Sequence, residues 1–275
     1  MTARHPLAGG LPEPWAVEWG GDFYGPSMSF SVGDVVQRMR WVPAGKFWMG
    51  SPEGEAGRFD NEKLHLVVLR QGFWLADTPC TQALWQAVMG NNPSKYKTPD
   101  RPVESVSWDD CQAFFRELNR RVRGLLARLP TEAEWEHACR GGTTTATWVG
   151  DLHFRGEKEA PLLNDIAWYR GNSKDPHTKA DTRPVGRKLP NPLGLFDMLG
   201  NVYEWCEDWY GPYDDVPGID PYGPRKGSLR VLRGGSWFSY ARLVRAARRL
   251  AYAPGFRLAS LGFRVARGPV HRADP

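Results

Sequence analysis

Helical periodicity ends early in this chain. Three segments carry complete helix-start signals, all of them before Gly142. Beyond that point no stretch repeats apolar residues every three to four positions. Thr81 opens TQALWQAVMG, with Leu84, Trp85 and Val88 on one face and Gly90 to stop it. Ser107 opens a longer helix with Asp110 three residues on, a carboxylate form of the capping box. Its stripe is Cys111, Phe114, Phe115, Leu118, Val122 and Leu125. Thr131 and Glu134 make a third box at TEAE, with Trp135 and Ala138 facing inward and Gly141-Gly142 ending the run. The remainder is punctuated by Trp148, Trp168, Trp205, Trp209 and Trp237. With 30 Gly, 23 Pro and 13 Trp in 275 residues, the chain is predicted to form turns and short strands around indole side chains rather than a helical bundle. Residues 35–43, 46–49, 65–69 and 72–75 read as strands, and VLRGGSW and LGFRVA as the last two. Helices early and loop-rich β structure late predict an α+β fold.

The formal charge of +5 hides an asymmetry. Of 36 Lys and Arg, twelve fall within residues 225–275, against one of the 31 acids, Asp274. These cations stand singly in an apolar, aromatic stretch, so they read as structural partners of an acidic body, and a nucleic-acid partner is disfavoured. Four cysteines at 80, 111, 139 and 206 match no CxxC spacing. They read as buried thiols in a reducing compartment, with a disulfide among Cys80, Cys111 and Cys139 as the alternative. No apolar run approaches the roughly 18–20 residues of a membrane span, and the N-terminus lacks a continuous apolar core. The expectation is a cytoplasmic protein with no membrane partner. Residues 1–34 are taken as an N-terminal extension, the first 14 a loose arm with short strand pieces such as SMSFSV after it. Residues 35–275 are taken as one domain.

FWMGSPEGE, PVESVSWDDCQAF, RLPTEAEWEHACRGG, NPLGLFDMLGNVYEWCEDWY, RVLRGGSW and LGFRVA follow one another over roughly residues 36–267. In that order they resemble the formylglycine-generating-enzyme, or sulfatase-modifying-factor, family. The resemblance implies a C-type-lectin-like fold with a small twisted antiparallel sheet, few helices and much irregular structure. It also implies that the strands around Gly234-Trp237 and Gly262-Arg264 pair at the sheet core and display the segment between them. In the family's enzyme a pair of cysteines after GGSW holds copper, and soft Cu(I) needs thiolates. Here the segment reads GGSWFSYARLVRAARRL, Ser239 stands near the first cysteine position, and no cysteine follows Cys206. The expectation is therefore no catalytic residues and no enzyme. His5, His65, His137, His153, His177 and His271 are scattered, so no histidine iron site forms, and His137 reads as packing or surface. Glu204, Glu207 and Asp208 of EWCEDWY are structural by the same resemblance. The motif Gly200-Asn201-Val202-Tyr203-Glu204-Trp205 resembles a family calcium site with Asn201 and Glu204 as side-chain ligands; a hydrogen-bonded turn without metal is the alternative. No other cofactor is required.

Within the family, residues 238–260 resemble the variable region of diversity-generating-retroelement proteins, in which adenine-directed mutation scatters asparagine codons while a scaffold stays fixed. That resemblance puts Phe238, Ser239, Tyr240, Leu243, Leu250, Tyr252, Phe256, Leu258, Ala259 and Ser260 at the variable, ligand-binding positions. Trp237, Arg242, Arg245, Arg249 and Arg264 fall on the scaffold. Tyr, Phe and Leu give large contact area at little entropy cost, and small polar residues adapt. The function implied is a non-catalytic ligand-binding protein with a diversified surface, its partner a protein. The alternatives are a fixed-specificity accessory protein and an uncharacterised metal-dependent oxidase of the family.

Overall fold

The three capping signals produce the three helices. In the computed structural model, which describes residues 12–156, 158–174, 180–213 and 218–268, they are α1 (Gln82–Met89), α2 (Trp108–Arg121) and α3 (Glu132–Arg140). Thr81 accepts from the Leu84 amide at 3.2 Å. Ser107 and Asp110 exchange bonds of 3.1 and 2.9 Å, and Thr131 and Glu134 bonds of 3.1 and 2.8 Å. Gly90 and Gly141 close their helices in the left-handed region.

The strands are short, as Gly and Pro usage predicts. They are β1 (Glu18–Asp22), β2 (Gly25–Val32), β3 (Val35–Val42), β4 (Gly45–Met49), β5 (His65–Leu69), β6 (Phe73–Ala76), β7 (Ala127–Arg128), β8 (Tyr203–Trp209), β9 (Arg230–Arg233), β10 (Arg249–Tyr252), β11 (Leu261–Gly262) and β12 (Ala266–Arg267). One sheet runs β1-β2-β3-β6-β12-β7, a second β10-β9-β8-β11, and β4-β5 form a hairpin. The second sheet lies between two cores. On β8 and β9, Cys206 and Val231 enter one apolar cluster while their neighbours Trp205 and Leu232 enter the other.

Two expectations change here and one alternative falls. The division at residue 34 does not hold as a structural boundary. β1 and β2 are the first strands of the larger sheet, β2 pairs with β3 along its length, and Trp15, Met28 and Phe30 are core residues. The alternation of Met28, Phe30 and Val32 with serines is the half-buried strand signal that explains this. The loose-arm expectation for residues 1–11 lies outside the described residues. The strands beside GGSW and LGFR do not pair with each other. Each pairs with β8, which runs between them, β9 antiparallel and β11 parallel. Finally, all four cysteines are buried and unpaired, which removes the disulfide alternative. Burial pushes the Cys139 thiol up to about 12 and raises the other three well above their usual range.

Packing between elements is fixed by buried guanidinium–carboxylate pairs. Arg264, fully buried, grips both oxygens of Glu204 at 2.7 Å, and Glu204 also accepts from the Trp135 indole at 2.7 Å. The same guanidinium donates to the carbonyls of Ala76 and Phe196, both at 3.0 Å. It thus ties β8, α3 and β6 to the chain that follows β11. Removing one partner of such a pair leaves a buried charge uncompensated. Replacing Arg264 by Met is predicted to cost about 3–5 kcal/mol in chemical denaturation. Replacing Arg257 by Met breaks the half-exposed pair to Asp110 and is predicted to cost under about 1 kcal/mol. Equal losses would show that burial does not distinguish the two.

Candidate binding surface

The segment of interest begins where β9 ends. Gly234 and Gly235 have φ of 95° and 79°, and a Cβ on Gly234 would stand 2.8 Å from the Met198 carbonyl oxygen. Only glycine makes that turn at that approach. The chain then closes a tight loop: the Ser236 amide donates to Ser239 Oγ at 3.0 Å and the Ser239 amide to the Ser236 carbonyl at 2.9 Å. Trp237 is half-buried. Its amide donates to the Asn201 carbonyl and its indole to the Ala259 carbonyl, both at 2.9 Å. One 3-10 turn (Ala241–Leu243) leads toward β10. The far end is strapped to α2 and the loop before it: the Asp109 amide donates to the Pro254 carbonyl, Arg257 forks onto Asp110 at 2.7 Å, and the Ser105 amide donates to the Leu258 carbonyl at 3.0 Å.

On this anchored backbone Phe238 is 57% exposed, and Phe256 and Leu258 are each 40% exposed. Tyr240, Leu243, Ala259 and Ser260 are half-buried. Leu250 and Tyr252, on β10, are half-buried with one side against the core, and the Tyr252 and Phe256 rings are 4.5 Å apart. Ser239 is a correction. It is 5% exposed, its hydroxyl is spent inside the turn, and its carbonyl accepts from the Arg170 amide at 3.0 Å. It holds the loop and presents nothing to a partner.

The scaffold positions divide likewise. Arg245 is fully buried on Glu62, at 2.8 and 2.9 Å, and on Glu55. Arg249 forks onto Glu132 at 2.7 and 2.8 Å. Burial alone would raise the Glu132 carboxyl, but Arg249 and Arg233 outweigh it and hold it below the usual carboxylate range. Arg242 is a second correction: it is exposed, with its guanidinium 5.3 Å from the Phe59 ring centroid and no carboxylate partner among the described residues. Position 242 lies on the outer face of the 3-10 turn, whereas 245 and 249 point under it.

Two neighbours escape sequence reasoning. Arg170 lies over both Phe238 and Tyr240, and the Tyr96 ring meets Trp237 edge-on at 5.7 Å. They come from loops about 70 and 140 residues upstream, and no periodicity or motif marks their adjacency.

Both candidate calcium ligands are hydrogen-bonded to protein groups. Glu204 is committed to Arg264 and Trp135. Asn201 closes a turn, accepting from the Arg183 amide at 3.0 Å and donating to the Arg183 carbonyl at 3.0 Å, with φ of 58°. Both are fully buried and serve separate networks. Among the described residues no three His, Cys, Asp or Glu converge as a metal site. Glu207 accepts from Gln112 at 2.9 Å and Asp208 from the Glu132 amide at 2.8 Å. The His137 ring lies against the Pro43 carbonyl at 3.1 Å, and burial lowers its pKa.

Beneath the surface, Asp197 accepts from the Gly186 amide at 2.7 Å and meets the Asn201 side-chain amide at 3.4 Å. Burial raises its carboxyl to about 6, against the opposing pull of the Gly186 amide and Arg264. Unfolded, it releases its proton near 3.8. Between these values the folded chain binds more protons, so this group's contribution to stability falls as pH rises from about 4 to about 6 and stays lost above that. Asp197→Asn removes the dependence. It is predicted to flatten the pH profile of unfolding over that window. A profile parallel to the parent's would contradict this.

Sequence and structure comparisons agree on kinship. Residues 31–269 match the Sulfatase-modifying factor enzyme 1-like domain. The formylglycine-generating enzyme of Streptomyces coelicolor is 37% identical over 191 residues, covering 67% of this chain and 58% of that enzyme, so the chain spans little more than half of that relative. Among solved structures, Treponema denticola variable protein 1 superposes with a TM-score of 0.75 at 30% identity, covering 88% of this chain and 99% of that one. PvdO from Pseudomonas aeruginosa superposes with a TM-score of 0.74 at 28% identity, covering 87% and 97%. The chain belongs to the sulfatase-modifying factor enzyme 1-like family and has its α+β, C-type-lectin-like fold.

Proposed function

We propose that this protein is a non-catalytic binding protein whose surface between residues 238 and 260 is diversified by a retroelement to meet protein partners. The observation that carries the reading is the separation of surface from scaffold. Phe238, Tyr240, Phe256 and Leu258 project from a backbone held by Trp237, Arg245, Arg249 and the Arg257–Asp110 strap, so the exposed side chains can change without unseating the fold. Similarity to Treponema denticola variable protein 1 supports it. The formylglycine-generating chemistry lacks its thiolates here: Ser239 is a buried turn residue and no cysteine follows Cys206. Glu204 and Asn201 are hydrogen-bonded to protein groups, which favours a turn without metal over a calcium site there. Among the described residues no helix is long and apolar enough to cross a membrane.

Leu250 and Tyr252, with one side in the core, favour a second reading, a fixed-specificity accessory protein of the family. The DNA around the gene separates the two. The diversified reading expects a nearby reverse transcriptase and a near-copy of the stretch encoding residues 233–264 that differs only at adenines. Absence of both contradicts it and leaves the fixed-specificity protein. One copper or iron per chain by elemental analysis would contradict both and favour an oxidase.

A further inference from the structure

The exposed rings of the segment do not stand alone. Lys95 lies 5.4 Å over the Tyr96 ring, Tyr96 meets Trp237 at 5.7 Å, and Trp237 meets Phe238 at 5.4 Å. The Arg170 guanidinium then sits 4.8 Å from Phe238 and 4.9 Å from Tyr240. Six residues from three separate stretches of chain thus form one continuous strip, cationic at Lys95 and Arg170 and aromatic between. Elsewhere in the C-terminal region Arg233, Arg245, Arg249, Arg257 and Arg264 each hold a carboxylate. Lys95 and Arg170 are exposed, and no carboxylate lies within ion-pair distance of either among the described residues. Glu104, which meets the Lys95 main chain, is fully buried and spent on the amides of Lys95 and Tyr96 and the Ser105 hydroxyl.

Both cations lie outside the varied positions, and the main chain that carries Arg170 is held without those side chains. The loop bearing Arg170 is lashed to the segment through main-chain carbonyls: the Arg170 amide donates to that of Ser239 at 3.0 Å, and the Ser173 hydroxyl to that of Trp237 at 2.7 Å. We propose that Arg170 and Lys95 form a fixed electrostatic floor to the binding surface, which selects partners presenting an acidic segment with an apolar or aromatic side chain beside the carboxylate. This rests on the reading of residues 238–260 as a display surface. A guanidinium already seated between two rings loses little freedom on pairing, and its planar fork matches a carboxylate. Single-stranded nucleic acid fits the strip less well. Two unpaired cations neutralise about two phosphates, and the Phe238 and Tyr240 faces nearest Arg170 are covered by it.

The test uses the full chain and a fluorescein-labelled random glutamate–tyrosine copolymer, read by anisotropy at 0.15 M salt. The double variant Arg170→Gln/Lys95→Gln is expected to bind about tenfold more weakly. Arg225→Gln/Lys226→Gln, which removes the same charge from an exposed loop elsewhere, is expected to change affinity less than about twofold. Neither pair of residues holds a carboxylate among the described residues, and matching melting temperatures confirm that the folds are intact. Equal losses in the two double variants would overturn the proposal, since net charge would then do the binding, and would leave the display reading standing. No binding by the parent, or binding unaffected by Arg170→Gln/Lys95→Gln, would overturn it as well. So would a labelled thymidine 20-mer bound more tightly than the copolymer and lost in that variant, which assigns the strip to nucleic acid. The search for a template repeat is independent of these outcomes, so failure of the retroelement reading is seen separately.

Discussion

The structure depends on arginines that are buried with carboxylates. Arg233, at the end of β9, illustrates it: one fully buried guanidinium reaches Glu132 and Glu136 on α3 and the carbonyls of Ala246 and Ala247 on the approach to β10. Arg249 returns to the same Glu132 from β10, and Arg245 reaches Glu55 and Glu62 in the turn-rich stretch between β4 and β5. With three helices of 8 to 14 residues and strands of two to eight among the described residues, few long apolar faces define how the parts meet. Directional ion pairs do that instead. The cost of taking these charges out of water is large, so the pairs are weak evidence for net stability, but breaking one is expensive. That asymmetry specifies one arrangement of α3, β9 and β10 over others.

It also explains how an outer surface can be decoupled from the fold. Between residues 238 and 260 the inward residues are Ser239, Ala241, Val244, Arg245, Ala246, Ala247 and Arg249. They fall singly at 239, 241 and 249 and as an unbroken run at 244–247, on a path of short turns rather than a regular strand, so no single periodicity runs through the segment. Hydrogen bonds to main-chain atoms, from the Trp237 indole to the Ala259 carbonyl and from the Arg170 amide to the Ser239 carbonyl, place the loops without using the exposed side chains. The exposed set is therefore smaller than the ten positions that family resemblance proposes.

What was legible in the sequence follows from the range of the physics involved. The helices could be read because a capping box acts over four residues and is written contiguously, as at Ser107-Asp110 and Thr131-Glu134. The buried role of the C-terminal arginines was legible from their isolation among apolar neighbours. Their partners were not, because Arg245 meets Glu62 across 183 residues and Arg264 meets Glu204 across 60. β8 was missed as the strand between β9 and β11 because EWCEDWY carries carboxylates on a strand buried nearly throughout; its Glu204 is tolerable there only because Arg264 arrives from elsewhere. Ser239 turns inward to close the loop on Ser236 and Arg242 turns outward on the 3-10 turn, and residue type says little about direction in either. Lys95, Tyr96 and Arg170 carry no local mark at all.

The separation of display surface from scaffold is tested most directly by thermal melting of one combined variant, Phe238→Ala/Tyr240→Ala/Phe256→Ala/Leu258→Ala. The account predicts a melting temperature within about 4 °C of the parent's, because these side chains carry little of the packing. A drop of more than about 10 °C would contradict it, placing these residues in the core and the arginine network in a lesser role.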